Sequence, residues 1–275
     1  MQPNELFDLT GRVVVITGGA GLLGQRHGEA IAGAGGIPVL ADIRANHLKT
    51  DSAGLADRFG PLASAIAVDI TDPRSVEALL ESVLKKYGRV DVLINNAANN
   101  PKIESGSAVE FSRLESLTLD QWQADLAVGL TGAFLCSRVI GGEMAMQGRG
   151  VIVNVASDLA LIAPDQRLYR KPGVPDALQP VKPVTYSVVK SGLLGLTRYL
   201  ATYWATAGVR VNAISPGGVQ TDQPEEFVQR LSNLIPLGRM ARVDEYQGAM
   251  LFLCSDASSY MTGANLVVDG GRTAW

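Results

Sequence analysis

Short runs that are almost wholly apolar recur at 12–17, 37–41, 64–69, 90–94, 150–155, 209–214 and 265–268. Between them lie longer stretches in which apolar residues return every three or four positions. The short runs have strand length and the long ones a helical period, so strands and helices alternate along the chain. Such alternation predicts an α/β fold in which a doubly wound, seven-stranded parallel sheet carries helices on both faces. Strands covered on both sides turn no face to water, which accounts for a run as apolar as Val13-Val-Val-Ile16. At 275 residues and 47% hydrophobic content the chain can bury one large core, and it shows neither a repeat nor a low-complexity tract. One domain is predicted over 1–275, with insertions at about 100–118 and 158–183.

The first strand runs directly into Gly18-Gly-Ala-Gly21-Leu-Leu-Gly24 and then into a helix-compatible segment. In that order the three pieces form a pyrophosphate cradle. Glycines let the backbone approach the phosphates, and the helix N-terminus supplies N–H groups and the positive end of its dipole. Gly18, Gly21, Leu22, Leu23 and Gly24 are the candidate contacts. Asp42 closes the second strand, where a carboxylate can bond both ribose hydroxyls of NAD and repel the 2′-phosphate of NADP. NAD is therefore the predicted cofactor. Arg44, two residues on, keeps NADP open, because a guanidinium can receive that phosphate.

The segment from Val184 to Ala207 has a helical period, which sets Lys190 one turn beyond Tyr186 on the same face. A phenol with a pKa near 10 is a poor base at neutral pH, but a nearby ammonium favours the phenolate. Proton exchange with a substrate oxygen then becomes feasible.

With these motifs in this order the chain resembles the short-chain dehydrogenase/reductase family nearly end to end. The resemblance rests on the glycine loop, Asp69 after the third strand, Asn95-Asn-Ala-Ala98 after the fourth, Asn154-Val-Ala-Ser157 after the fifth, and the Tyr186/Lys190 pair. Pro216-Gly-Gly-Val-Gln-Thr221, Thr262-Gly and Val268-Asp-Gly-Gly271 complete it. It implies a Rossmann-type domain that transfers a hydride between a nicotinamide cofactor and a secondary alcohol or ketone. It implies that Tyr186 is the acid/base, that Lys190 lowers its pKa and holds the nicotinamide ribose, and that Ser157 hydrogen-bonds the reacting oxygen. By the same carry-over Asp69 faces the adenine with Ile70 beside it, Asn95 the adenosine ribose region, and Asn96 and Ala97 the cofactor path. Pro216, Gly217, Val219 and Thr221 hold the nicotinamide end, Thr221 at the carboxamide. The roles agree with the chemistry, since hydride transfer builds negative charge on an oxygen at which two donors are aimed. A homotetramer burying the helices around 119–147 and 184–207 is implied as well.

Three features depart from the family pattern. Gly18, Gly21 and Gly24 have the spacing of the family's extended, sugar-nucleotide-modifying branch, although the rest of the chain looks like the shorter oxidoreductases. Ala98 replaces a usual glycine and requires an ordinary backbone there. Gly129 stands where the family carries a catalytic asparagine, which supports a water between the lysine and solvent partly through its main-chain carbonyl. A carbonyl survives the change, so the relay is expected to persist through backbone and water.

Substrate choice should lie in what the family does not share. The stretch between Ser157 and Tyr186 is more than twice the usual length and rich in proline, which predicts an ordered loop at the mouth of the site. Its Arg167, Arg170, Lys171 and Lys182 are candidate partners of a phosphate or carboxylate. A polar insertion from Pro101 to Asp120, with Lys102, Glu104, Glu110, Arg113 and Glu115, is expected to cap the same rim. Gln223 and the acids after Thr221 suit a hydroxyl-rich ligand. The substrate expected is a small polar molecule, a sugar or a phosphorylated or nucleotide-linked sugar. The loop and glycine spacing are similar to those of bacterial flagellin-modification and nonulosonate oxidoreductases.

A net charge of −3 without a basic block argues against nucleic acid as a partner. Met1-Gln-Pro-Asn-Glu lacks the features of a signal peptide, and no apolar run approaches membrane-spanning length, so a cytoplasmic protein without a membrane partner is expected. Cys136 and Cys254 read as free buried thiols, and His27 and His47 form no metal cluster. Two other classes share the same residues. An epimerase or dehydratase would hold NAD tightly and regenerate it each turnover, and a noncatalytic scaffold would bind NAD without turnover.

Overall fold

A computed structural model of the chain describes residues 2, 5–45, 54–99 and 112–275. Seven parallel strands, β1 (Val13–Thr17), β2 (Ile37–Asp42), β3 (Ser64–Ala67), β4 (Val92–Asn95), β5 (Gly150–Val155), β6 (Val209–Pro216) and β7 (Asn265–Val268), form one sheet in the order β3-β2-β1-β4-β5-β6-β7. This is the doubly wound Rossmann-type architecture predicted from the pattern. The chain winds outward in both directions from β1 and β4, so a crevice opens at their C-terminal ends, where such folds bind ligands.

Alternate strand residues point to opposite faces and build two cores. Val14, Ile16, Leu40, Ile94 and Val153 meet α1 (Leu22–Gly33), the short α2 (Leu55–Phe59) and the buried residues Met250 and Leu253 near the C-terminus. Val15, Val39, Leu93, Ile152 and Val211 meet α3 (Pro73–Tyr87), α4 (Leu119–Met146) and α5 (Val184–Tyr203). The helix α3 is bounded as its sequence directs. Asp72 accepts a hydrogen bond from the N–H of Arg74, Pro73 opens the first turn, and Gly88 closes the last in a left-handed conformation.

The 28-residue helix α4 corrects one expectation, because it is long and apolar enough to cross a membrane, with a mean hydropathy of 1.4 over its most apolar window. Half of that window is buried, with Leu135, Cys136, Ile140 and Met144 in the core, so its apolarity serves packing against the sheet. Two π-turns, Ala127–Thr131 and Ser137–Gly141, interrupt it. Two further helices, α6 (Glu225–Ser232) and α7 (Gln247–Cys254), follow β6.

The 158–183 insertion is an ordered strap with three short 3-10 turns. The Gln179 side chain ties it internally, accepting from Lys171 N at 2.8 Å and donating to the carbonyls of Lys171 and Val174. Arg113 bonds the carbonyls of Asp176 and Gln179, and Arg230 on α6 bonds that of Arg170. Leu168 is buried with Leu231, Ile235 and Met240 beneath it. Of the other insertion, Arg113 and Glu115 are described, while Lys102, Glu104 and Glu110 lie outside the described residues, as does His47.

Candidate active site

A cleft of about 920 Å³ runs along the C-terminal ends of the strands from Asp42 to the strap. At its floor the glycine loop is packed too closely for side chains. A Cβ at Gly24 would lie 2.2 Å from the Gly18 carbonyl oxygen, and one at Gly18, where φ is 63°, would lie 2.8 Å from Ala97 Cα. Asn96, just after β4, braces the loop, donating to the carbonyls of Thr17 and Gly18 at 3.0 and 3.1 Å. Gly21 caps the N-terminus of α1 with its backbone alone, and no acid sits in the first turn. The N–H groups and dipole end there thus face the cleft with no acid in the helix's own first turn to compete for them, as a pyrophosphate requires.

Asp42 is buried at the rim of this cradle and accepts from the backbone N–H groups of Ala20 and Arg44 at 3.0 and 2.8 Å. The Arg44 guanidinium is exposed and 3.8 Å away. Asp69 and Ile70 line the cleft, and Asp69 also closes a turn onto Thr71 at 2.9 Å. Ala97, Pro216, Gly217, Val219 and Thr221 line it further along. Ala98 lines it with an ordinary negative φ.

At the far end the structure brings Ser157, Tyr186 and Lys190 together. Ser157 follows β5, while Tyr186 and Lys190 project from one face of α5. Lys190 is buried and donates from Nζ to the Val155 carbonyl at 2.7 Å. Its burial, reinforced by the charge of Lys182, lowers its pKa to about 8. Burial, helped by the Asp158 carboxylate, pushes the Tyr186 phenol above its ordinary value, against the pull of its interaction with the Ser157 hydroxyl. Ser157 Oγ donates to Asp158 Oδ1 at 2.8 Å, and Asp158 Oδ2 pairs with Arg272 at 2.6 Å, both partners buried. Behind Tyr186 lies a space of about 10 Å³, lined by Asn99, Asp125, Gly129, Lys182 and Lys190, which is about the room one water takes.

Several sequence-based expectations are corrected. Asn95 does not face the cleft. It is buried and donates to Asn154 Oδ1 at 2.8 Å and Ser137 Oγ at 3.0 Å, a network that Asn154 extends to Thr197. Arg167 does not line the cleft either, because it forks onto Asp165 of its own turn with its side chain 81% exposed. Arg170 and Lys171 do line the cleft, although Arg170 pairs with Asp176 at 3.2 Å. Gln223 lines it too and folds its amide onto Thr221 N and Val219 O. Gly129 faces Val189 at a distance that leaves no room for a side chain.

Sequence reasoning missed Arg272 and Asp125. Arg272 is 114 positions from Asp158, and no local signal joins them. Asp125 accepts from Gln121 one turn away on α4, and from Thr185 on α5 and Asn99 after β4, two partners that only folding brings to it. Cys136 and Cys254 are free and buried, and burial pushes both thiols up to about 12. Among the described residues no group of three or more His, Cys, Asp or Glu side chains is placed to hold a metal.

The short chain dehydrogenase family model matches residues 12–168, and an enoyl-(acyl carrier protein) reductase model matches residues 177–273. D-threitol dehydrogenase of Mycolicibacterium smegmatis is 34% identical over 97% of this chain and 95% of its own length. NAD-dependent glycerol dehydrogenase of Listeria innocua is 33% identical over 97% and 96%. Among solved structures, gluconate 5-dehydrogenase from Burkholderia cenocepacia, in complex with NADP and tartrate, superposes over the whole of both chains with a TM-score of 0.84 and 28% identity. The chain thus belongs to the short-chain dehydrogenase/reductase family, nicotinamide-dependent oxidoreductases acting on CH–OH groups.

Proposed function

We propose that this chain is an NAD-dependent dehydrogenase of a small polyol or sugar acid. The observation that carries the reading is the meeting of Ser157, Tyr186 and Lys190 at one end of a cleft whose other end is the glycine cradle and Asp42. Gly18 and Gly24, where a Cβ would collide with the loop, fit a backbone that must lie against a dinucleotide. Gly21, Leu22 and Leu23 would meet the pyrophosphate, and Asp42 the adenosine ribose. Lys190 and Thr221 would hold the nicotinamide end. When bound, the nicotinamide supplies the hydride acceptor.

The chain's own residues do the rest. Tyr186 as phenolate takes the proton of the substrate hydroxyl, and Ser157 turns its hydroxyl from Asp158 toward the same oxygen. Lys190 holds a positive charge beside the phenolate, and a water in the space beside Gly129 and Asp125 would return the proton toward solvent. Preference for NAD rests on Asp42, since a buried carboxylate there opposes a 2′-phosphate. The sugar and polyol relatives, the polar cleft end and Arg170 support a polyol or sugar acid; a phosphorylated or nucleotide-linked sugar is the rival in the same test. The exposed Phe134, Tyr199 and Tyr203 on α4 and α5 support a homo-oligomer built on those helices.

The test is NADH formation from NAD or NADP with a panel of tetritols, glycerol, hexitols, aldonates, sugar phosphates and nucleotide sugars. NAD-linked turnover of a polyol or aldonate that falls at least about 1,000-fold in Tyr186→Phe is expected. Normal NAD binding with no turnover across the panel overturns the proposal.

A further inference from the structure

Among the described residues two cations, not one, face Tyr186. Lys190 comes from the tyrosine's own helix, and Lys182 from the end of the strap, just before that helix begins. The Nζ of Lys182 lies 3.8 Å from the centroid of the Tyr186 ring, against 5.8 Å for that of Lys190. The strap fixes this approach. Lys182 N donates to Gln166 Oε1 at 2.8 Å, its carbonyl accepts from Gln166 Nε2 at 3.4 Å, and Pro183 then caps α5. Lys182 also lines both the cleft and the small space behind the tyrosine.

A phenolate spreads its charge into the ring, so a cation above the ring face gains when the phenol proton leaves. The charged and titratable groups around Tyr186 come from every neighbouring element. Lys190 stands on α5, Asp158 follows β5, Tyr169 and Lys182 belong to the strap, and Tyr246 precedes α7. Arg272 neutralises Asp158 in a buried pair. Two ammonium groups thus stand among two carboxylates, Asp158 already paired with Arg272, and Asp125, which lines the small space behind the tyrosine and is held by Thr185, Gln121 and Asn99. Burial lowers both lysines to about 8 and raises Tyr186, so each ion is unfavourable by itself; the phenolate and the ammonium over its ring form as a pair, each holding the other in its charged state.

We propose that Lys182 is a positioning residue for the proton transfer, lying on the Tyr186 ring and sharing with Lys190 the stabilisation of its phenolate. The proposal rests on the dehydrogenase reading above. It makes the strap part of the acid–base machinery as well as a wall of the cleft.

The experiment compares Lys182→Met, Lys182→Arg and wild type in two measurements. In the pH profile of kcat/KM for alcohol oxidation, Lys182→Met moves the acid limb up by about one unit, a loss of about tenfold at neutral pH, and keeps the alkaline plateau within about threefold. Lys182→Arg restores the limb. In NMR of the protein labelled at tyrosine Cζ, with Tyr186→Phe assigning the signal, the Tyr186 ionisation moves upward in Lys182→Met and returns in Lys182→Arg. A raised KM with an unmoved limb, or an equal loss at every pH, overturns the proposal. So does an unmoved Tyr186 signal. The NMR arm reads Tyr186 without a substrate, so a wild type that oxidises nothing on the panel sinks the dehydrogenase reading and still leaves the Lys182 contact tested.

Discussion

Gly129→Ala should destabilise the protein although it removes a glycine from a helix interior. A Cβ at Gly129 would lie 2.5 Å from Val189 Cγ1 and 3.4 Å from Cγ2. Val189 is buried and β-branched, and a valine in a helix has one strongly preferred χ1, so it cannot turn aside cheaply. Relief requires α4 and α5 to part locally, and overpacking of this kind costs about 1–3 kcal/mol. The alanine returns about 1 kcal/mol of backbone entropy, which leaves a net loss of about 0–2 kcal/mol. Lys190 follows Val189 directly, so the same displacement strains its 2.7 Å bond to the Val155 carbonyl and lowers turnover. Urea unfolding of wild type, Gly129→Ala, Val189→Ala and the double variant closes a thermodynamic cycle. The double variant should be more stable than the sum of the single losses predicts, by about 1–2 kcal/mol. Additive losses, or a Gly129→Ala protein more stable by about 1 kcal/mol with unchanged turnover, would refute the reasoning. The cycle also bears on the missing asparagine. Gly129→Asn alone tests packing, whereas Gly129→Asn with Val189→Ala tests the proton relay.

The His27 ring is buried with a hydrogen-bond partner for neither nitrogen among the described residues, and burial lowers its pKa from 6.5 to about 4. The unfolded chain takes up that proton near pH 6.5 and the folded one only near 4. This contribution is therefore complete above pH 6.5 and lost as the pH falls toward 4, by about 3 kcal/mol. Denaturant midpoints at a series of pH values should show this slope in wild type and lack it in His27→Leu; equal slopes would contradict the assignment. Arg272→Met leaves Asp158 buried and unpaired beside Ser157, and should cost about 3–5 kcal/mol in urea unfolding as well as most of the turnover. Adding Asp158→Asn should recover much of the stability, and a single variant within about 1 kcal/mol of wild type would show the pair to be dispensable.

What could be read from the chain was local. The glycine loop lies between a strand and a helix that declare themselves by pattern, and Tyr186 and Lys190 lie one turn apart, so short-range spacing reaches both ends of the cleft. Asn95 went astray by one position. It is the last residue of β4 and points into the core, whereas Asn96 follows the strand and reaches the loop. Arg167 went astray because its partner Asp165 is two residues away and a one-dimensional reading saw only a positive charge. The Asp158–Arg272 pair, the Lys182 contact and the fit of Gly129 against Val189 are meetings of distant segments, and no periodicity encodes them.

The strap between β5 and α5 carries a consequence for anyone who would redesign this enzyme. Loop grafting presumes that recognition and chemistry reside on separable parts, so that a new wall can be fitted while the reaction centre is left alone. Here one segment supplies Arg170 and Lys171 to the wall and Lys182 to the tyrosine. A transplanted strap would change the working pH together with the substrate, and a screen run at a single pH would discard grafts whose only defect is a displaced optimum.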